Sequence, residues 1–138
     1  MSARTFAPLT LVAGNLLEGS RHRPDYRGVP SVAFTVPAIA GVGLTEAEAA
    51  AQGKRVRVRS EMVPQWFTAR RLAEPVYGFK TLVEEGTGRI LGAHLVGPGA
   101  EEVINLFGLA IRHDLTAEAL KSTMFAYPTA ASDIGSML

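Results

Sequence analysis

The chain has no cysteine in its 138 residues. That absence excludes thiolate nucleophiles, disulfide staples and thiolate metal sites together, and no redox-active disulfide can reside in these residues. An excess of charge is missing too: 14 Lys and Arg against 13 Asp and Glu leave a formal net charge of +1. Without a field of one sign there is no bulk electrostatic reason to expect nucleic acid or an anionic membrane as partner. No apolar run approaches the roughly 18 residues of a membrane-spanning helix. The stretch from Met1 to Pro8 has no apolar core of a secretory signal. The expectation is a soluble, cytoplasmic protein that contacts neither nucleic acid nor membrane. A Gly-x-Gly-x-x-Gly dinucleotide fingerprint is also lacking, so no cofactor is expected in the isolated chain, and no metal site is expected either.

What is present is a hydrophobic fraction of 47%, enough for one compact domain with a core of its own. The polar, proline-punctuated stretch from Ser20 to Pro30 reads as a linker. Before it, Pro8 to Gly19 supports one or two helical turns, too few to bury a core alone. Val32 to Thr35 is a β-type run ended by Pro37. Thr45-Glu46-Ala47-Glu48 has the form of a capping box, and opens a helix to about Gln52 that Gly53 closes. Arg55-Val56-Arg57-Val58-Arg59 alternates strictly, which predicts a strand with wet arginines on one face and packed valines on the other.

Gly78 to Glu84 and Arg89 to Val96 flank Glu85-Gly86-Thr87-Gly88, whose glycines suit a tight reversal, so this pair predicts an antiparallel hairpin. Ala100 to His113 is a helix whose apolar positions cover more than one stripe, as expected of a helix buried on two sides. A single small domain rarely covers such a helix all round, which points to a dimer. Thr116 caps a second short helix, and a last turn or helix starts at Ser132. The order of elements gives an α+β fold with a mainly antiparallel sheet and helices packed on it.

The histidines are scattered: His22 in the linker, His94 in a strand and His113 at a helix end, so none has the company a ligand role needs. Arg55, Arg57 and Arg59, with Arg70 and Arg71, offer a basic face for a phosphate or an acidic partner; the alternative is a solvated strand face. Trp66 and Phe67 fall in an irregular segment between strands, where they anchor a loop, sit at an interface or pack in the core.

Four stretches in register carry a resemblance. They are Val29 to Thr45, with Thr35-Val36-Pro37-Ala38-Ile39-Ala40-Gly41-Val42-Gly43 at its centre; Gly88 to Gly97; Ala100 to Ile104; and Tyr127-Pro128-Thr129. In this order the chain from Val29 onward resembles the C-terminal dimerisation domain of the flavin-dependent pyridine nucleotide-disulfide oxidoreductases, the family of glutathione reductase, lipoamide dehydrogenase and mercuric reductase. Pro8 to Ala13 resembles the end of that family's flavin domain, with its helix shortened here at Gly14. The resemblance therefore implies residues 1–28 as the tail of a flavin domain and 29–138 as the dimerisation domain.

It also implies a site. The family's terminal segment reads His-Pro-Thr-x-x-Glu, and its histidine reaches the partner subunit's flavin as an acid and base oriented by the glutamate. Here Tyr127 stands at the histidine position, Ser132 at the glutamate position, and Asp133 one residue later. Tyr127 and Asp133 are thus the candidate catalytic groups, and Tyr127, Pro128 and Thr129 the candidates for lying near the partner's FAD. An unperturbed tyrosine ionises near pH 10, which suits hydrogen-bond or proton donation at neutral pH and not the work of a base. Mercuric reductases carry a tyrosine at this place as well. The competing reading has Tyr127 packed at an interface with its hydroxyl bonded. FAD and NAD(P)H are implied for flavin- and nicotinamide-binding domains in cis or on a separate chain. The expected function is that of a homodimerisation domain, inactive alone. The alternative is an interaction module that keeps the fold without redox activity.

Overall fold

In a computed structural model of the chain, residues 3–19 and 23–138 are described, with side chains from Leu9 onward. His22, assigned above to the linker, lies outside the described residues. Elements are numbered in chain order. The hairpin forms as its turn chemistry requires: β4 (Gly78–Glu84) and β5 (Ile90–Val96) run antiparallel. Gly86 and Gly88 between them take φ of +84° and +70°, where a side chain would be strained. β2 (Ile39–Gly43) lies against β5, β1 (Ser31–Ala33) against β2, and β3 (Val56–Met62) against β4. The five strands are ordered β1-β2-β5-β4-β3 and every pairing is antiparallel. The expected α+β class is borne out.

α4 (Ala100–Arg112) packs on β2 and β5. Register puts Ala40, Leu95 and Phe79 in one row across β2, β5 and β4, and Val42, Ala93 and Thr81 in the next. All six are buried, and Val103, Ile104, Phe107, Ala110 and Ile111 of α4 belong to the same core. Removal of apolar surface from water holds these layers together at roughly 25 cal/mol per Å². α2 (Glu46–Ala51) starts with the predicted capping box: the Glu48 amide donates to Thr45 Oγ1 at 3.2 Å and the Thr45 amide to Glu48 Oε2 at 2.8 Å. α5 (Ala117–Lys121) is capped by Thr116, as expected.

Four expectations need correction. α1 (Ala3–Glu18) is a helix of 16 residues, not one or two turns, and Gly14 does not shorten it. One interior glycine costs about 1 kcal/mol relative to alanine, and the strong helix formers Leu16, Leu17 and Glu18 carry the helix past it. The helix stops at Gly19, whose φ of +82° is that of a left-handed terminating glycine. Second, the stretch between Pro37 and the Thr45 cap, to which the sequence assigns no element, is more than a connection. It returns as β2, between β1 and β5, an inner strand that its glycines concealed.

Third, the segment around Trp66 and Phe67 is not irregular. It enters α3 (Phe67–Leu72) at Trp66, which supplies no side-chain cap. Burial of Thr68 and Ala69, rather than a local start signal, holds this helix in place. Fourth, β3 does not divide into wet arginines and packed valines: Val58 is 37% exposed, while the Arg59 guanidinium lies 5.5 Å from the centre of the Phe79 ring. β3 is bonded on one side only, so neither of its faces closes.

Candidate functional site

The terminal segment is fastened at both ends and open in the middle. Before it, Phe125 rests against the core; after it, a 3₁₀ turn (Ala130–Asp133) runs into α6 (Ile134–Met137), whose Ile134 and Met137 are buried. Between them the Tyr127–Pro128 peptide is cis. The Thr129 hydroxyl donates to the Ala126 carbonyl at 2.6 Å, and the Ser132 hydroxyl to the Thr129 carbonyl at 2.6 Å. These short-range bonds satisfy polar groups that a bend would otherwise leave unpaired.

Tyr127 stands outside this fastening. It is 79% exposed, and among the described residues no hydrogen bond reaches its hydroxyl. Its ring lies 6.3 Å from that of Phe67, tilted by 34°. Asp133 turns the other way: its Oδ2 accepts the Thr68 hydroxyl at 2.7 Å and the Tyr77 hydroxyl at 2.9 Å. Burial pushes the Tyr77 hydroxyl well above the usual tyrosine range, and the Asp133 bond and charge add to the shift, so Tyr77 remains a donor. The two candidate groups of the sequence are therefore not brought together.

Sequence reasoning missed Thr68 and Tyr77, which lie 65 and 56 residues from Asp133 and have no spacing signal in common with it. Trp66 stacks on Phe79 at 5.6 Å between centroids and meets Tyr77 edge-on at 6.2 Å, which puts it in the core wall behind this network. His94 holds the Leu44 carbonyl through Nε2 at 3.2 Å, and His113 ends α4. Among the described residues no group of three or more His, Cys, Asp or Glu is placed to hold a metal ion, and no helix is long and apolar enough to cross a membrane. Arg55 and Arg59 pair with Glu85 and Glu61, which leaves the presumed basic face partly neutralised.

Apolar side chains are exposed along one end of the sheet. One register row, Ala33, Ile39, Val96, Gly78 and Met62, crosses all five strands at one end of the sheet. Met62 is 60% exposed in that row, and Phe34 and Val36, just beyond β1, are exposed as well, Val36 to 98%. Tyr77 leads into β4 at this same end, which ties the segment carrying Tyr127 to it. Phe34, Val36, Ile39 and Met62 thus leave apolar side chains facing water along this end of the sheet.

Residues 29–138 match the family model for the dimerisation domain of pyridine nucleotide-disulphide oxidoreductases. The chain is 44% identical over 128 residues to an "Uncharacterized 19.7 kDa protein in mercuric resistance operon" of Staphylococcus aureus, a match that covers 93% of this chain and 71% of that protein. Mercuric reductase of Streptomyces lividans is 41% identical over 125 residues, which are 88% of this chain and 26% of the reductase. In three dimensions, the HOCl-induced flavoprotein disulfide reductase RclA of Escherichia coli is similar with a TM-score of 0.81 at 26% identity, over 91% of this chain and 29% of that one. The chain thus spans under a third of the length of these two reductases.

Proposed function

Because this chain belongs to the family of pyridine nucleotide-disulphide oxidoreductase dimerisation domains, we propose that it pairs with a second copy of itself and lays Tyr127-Pro128-Thr129 at the partner subunit's flavin site. In this reading residues 1–28 are the tail of a flavin domain and 29–138 the dimerisation domain, at work in the cytoplasm. The observation that carries it is the contrast within the terminal segment: anchored from behind through Asp133, and exposed in front at Tyr127. The depressions described on its surface are lined by other residues than Tyr127, Pro128 and Thr129. In this reading FAD and NAD(P)H belong to flavin- and nicotinamide-binding domains in cis or on a separate chain, and the isolated chain is inactive. On the same reading the Tyr127 hydroxyl, which has no hydrogen bond among the described residues, serves as a donor across the interface.

Sedimentation velocity of the full chain at roughly 50 µM, within the ordinary range of dimer affinities, should show a dimer; a monomer at that concentration overturns the proposal. A second reading, an interaction module without redox activity, is favoured by the short Staphylococcus aureus relative, of which this chain covers 71%. Mixing the chain with a family reductase stripped of its own dimerisation domain separates the two. A flavin-coloured complex supports the first reading, and a colourless dimer the second.

A further inference from the structure

α3 and the terminal segment meet at two consecutive residues of the helix. Phe67 faces the Tyr127 ring, and Thr68 donates its hydroxyl to Asp133. The second donor on Asp133, Tyr77, comes from the entry to β4, so one carboxylate joins α3, the sheet and the terminal turn. Thr68 and Tyr77 are themselves buried, which leaves water little part in replacing these bonds. Both donors converge on the same oxygen, Oδ2. We propose that Asp133 is a positioning residue, whose single acceptor oxygen fixes the terminal turn against α3 and so sets the outward pose of Tyr127. It does not act as a proton-transfer partner of Tyr127. The inference rests on the proposed meeting of Tyr127 with a partner only for its functional consequence.

The convergence on one oxygen makes the claim testable. An asparagine side chain keeps one acceptor oxygen of the same reach and loses the charge, whereas alanine loses the acceptor. In the full chain, Asp133→Ala should speed amide hydrogen exchange of residues 124–132 by roughly 10-fold or more, the range expected for losing hydrogen bonds to a charged group. α4 should keep its protection, and the dimer should dissociate more readily. Asp133→Asn should restore exchange to within about 3-fold of the natural chain, since two neutral bonds remain. Thr68→Val, which deletes one donor at nearly constant volume, gives an intermediate change and serves if Asp133→Ala does not fold. Equal effects of Asn and Ala overturn the proposal, as does unchanged exchange in 124–132 or a rise that extends equally into α4. Faster exchange of the segment with unaltered dimer affinity supports the positioning role and overturns the partner reading, so the two fail separately.

Discussion

Tyr77 and Asp133 share a hydrogen bond of 2.9 Å across 56 residues of chain, and Tyr77 is buried where it makes it. The bond joins the start of a central strand to the turn that presents Tyr127. Tyr77→Phe should therefore destabilise the fold by about 1–2 kcal/mol, the usual cost of leaving a carboxylate one donor short. Urea unfolding at neutral pH measures it.

The same residue sets the alkaline limit of stability. The folded hydroxyl ionises at higher pH than the unfolded one, whose value is 10.0. Its stabilising contribution is intact below that value and is lost as pH rises through the folded value. Thermal unfolding from pH 8 to 11 should show a decline beginning near pH 10 that is smaller in Tyr77→Phe. An identical decline in both proteins rules Tyr77 out as the source.

On the acid side the relevant carboxylate is Glu84. Lys54 Nζ donates to its Oε1 at 2.7 Å and the Thr87 hydroxyl to its Oε2 at 2.7 Å. The Lys54 bond, then the Thr87 bond, hold its carboxyl below the ordinary value of 4.5. A depressed folded value means stability that is present above 4.5 and lost as pH falls through the folded value. Lys54→Met should flatten the acid limb of a stability profile between about pH 5 and 3, as read from urea midpoints.

Two backbone positions predict opposite signs. A Cβ on Gly92 would come 2.1 Å from the Leu44 carbonyl oxygen, which is backbone and already holds His94. Gly92→Ala should cost about 3 kcal/mol or more, since an inner strand has to shift. Ala73, which ends α3, has φ of +53°. Ala73→Gly should add about 1 kcal/mol by relieving that strain, less the entropy a glycine loses. Denaturant midpoints at unchanged slope measure both.

Legibility followed locality. The β4–β5 hairpin, the Thr45 capping box and the Thr116 cap are decided within a few residues, and each stands where its sequence puts it. β2 was hidden because Gly41 and Gly43 weaken strand propensity, and only pairing on both edges makes a strand of it. α3 was hidden because Trp66 is no cap; its stability comes from Thr68 and Ala69 going into the core. At the candidate site, Tyr127-Pro128-Thr129 was legible as a motif, while the role of Asp133 was not, since its partners are set by the tertiary fold.

The apolar row at the end of the sheet has a colloidal consequence. With a net charge of only +1, copies of this chain repel one another weakly. Phe34, Val36, Met62 and Tyr127 meet water with little electrostatic protection. How far these side chains meet water therefore governs how much of the chain stays dispersed in solution, and charged substitutions at Val36 or Met62 should raise solubility.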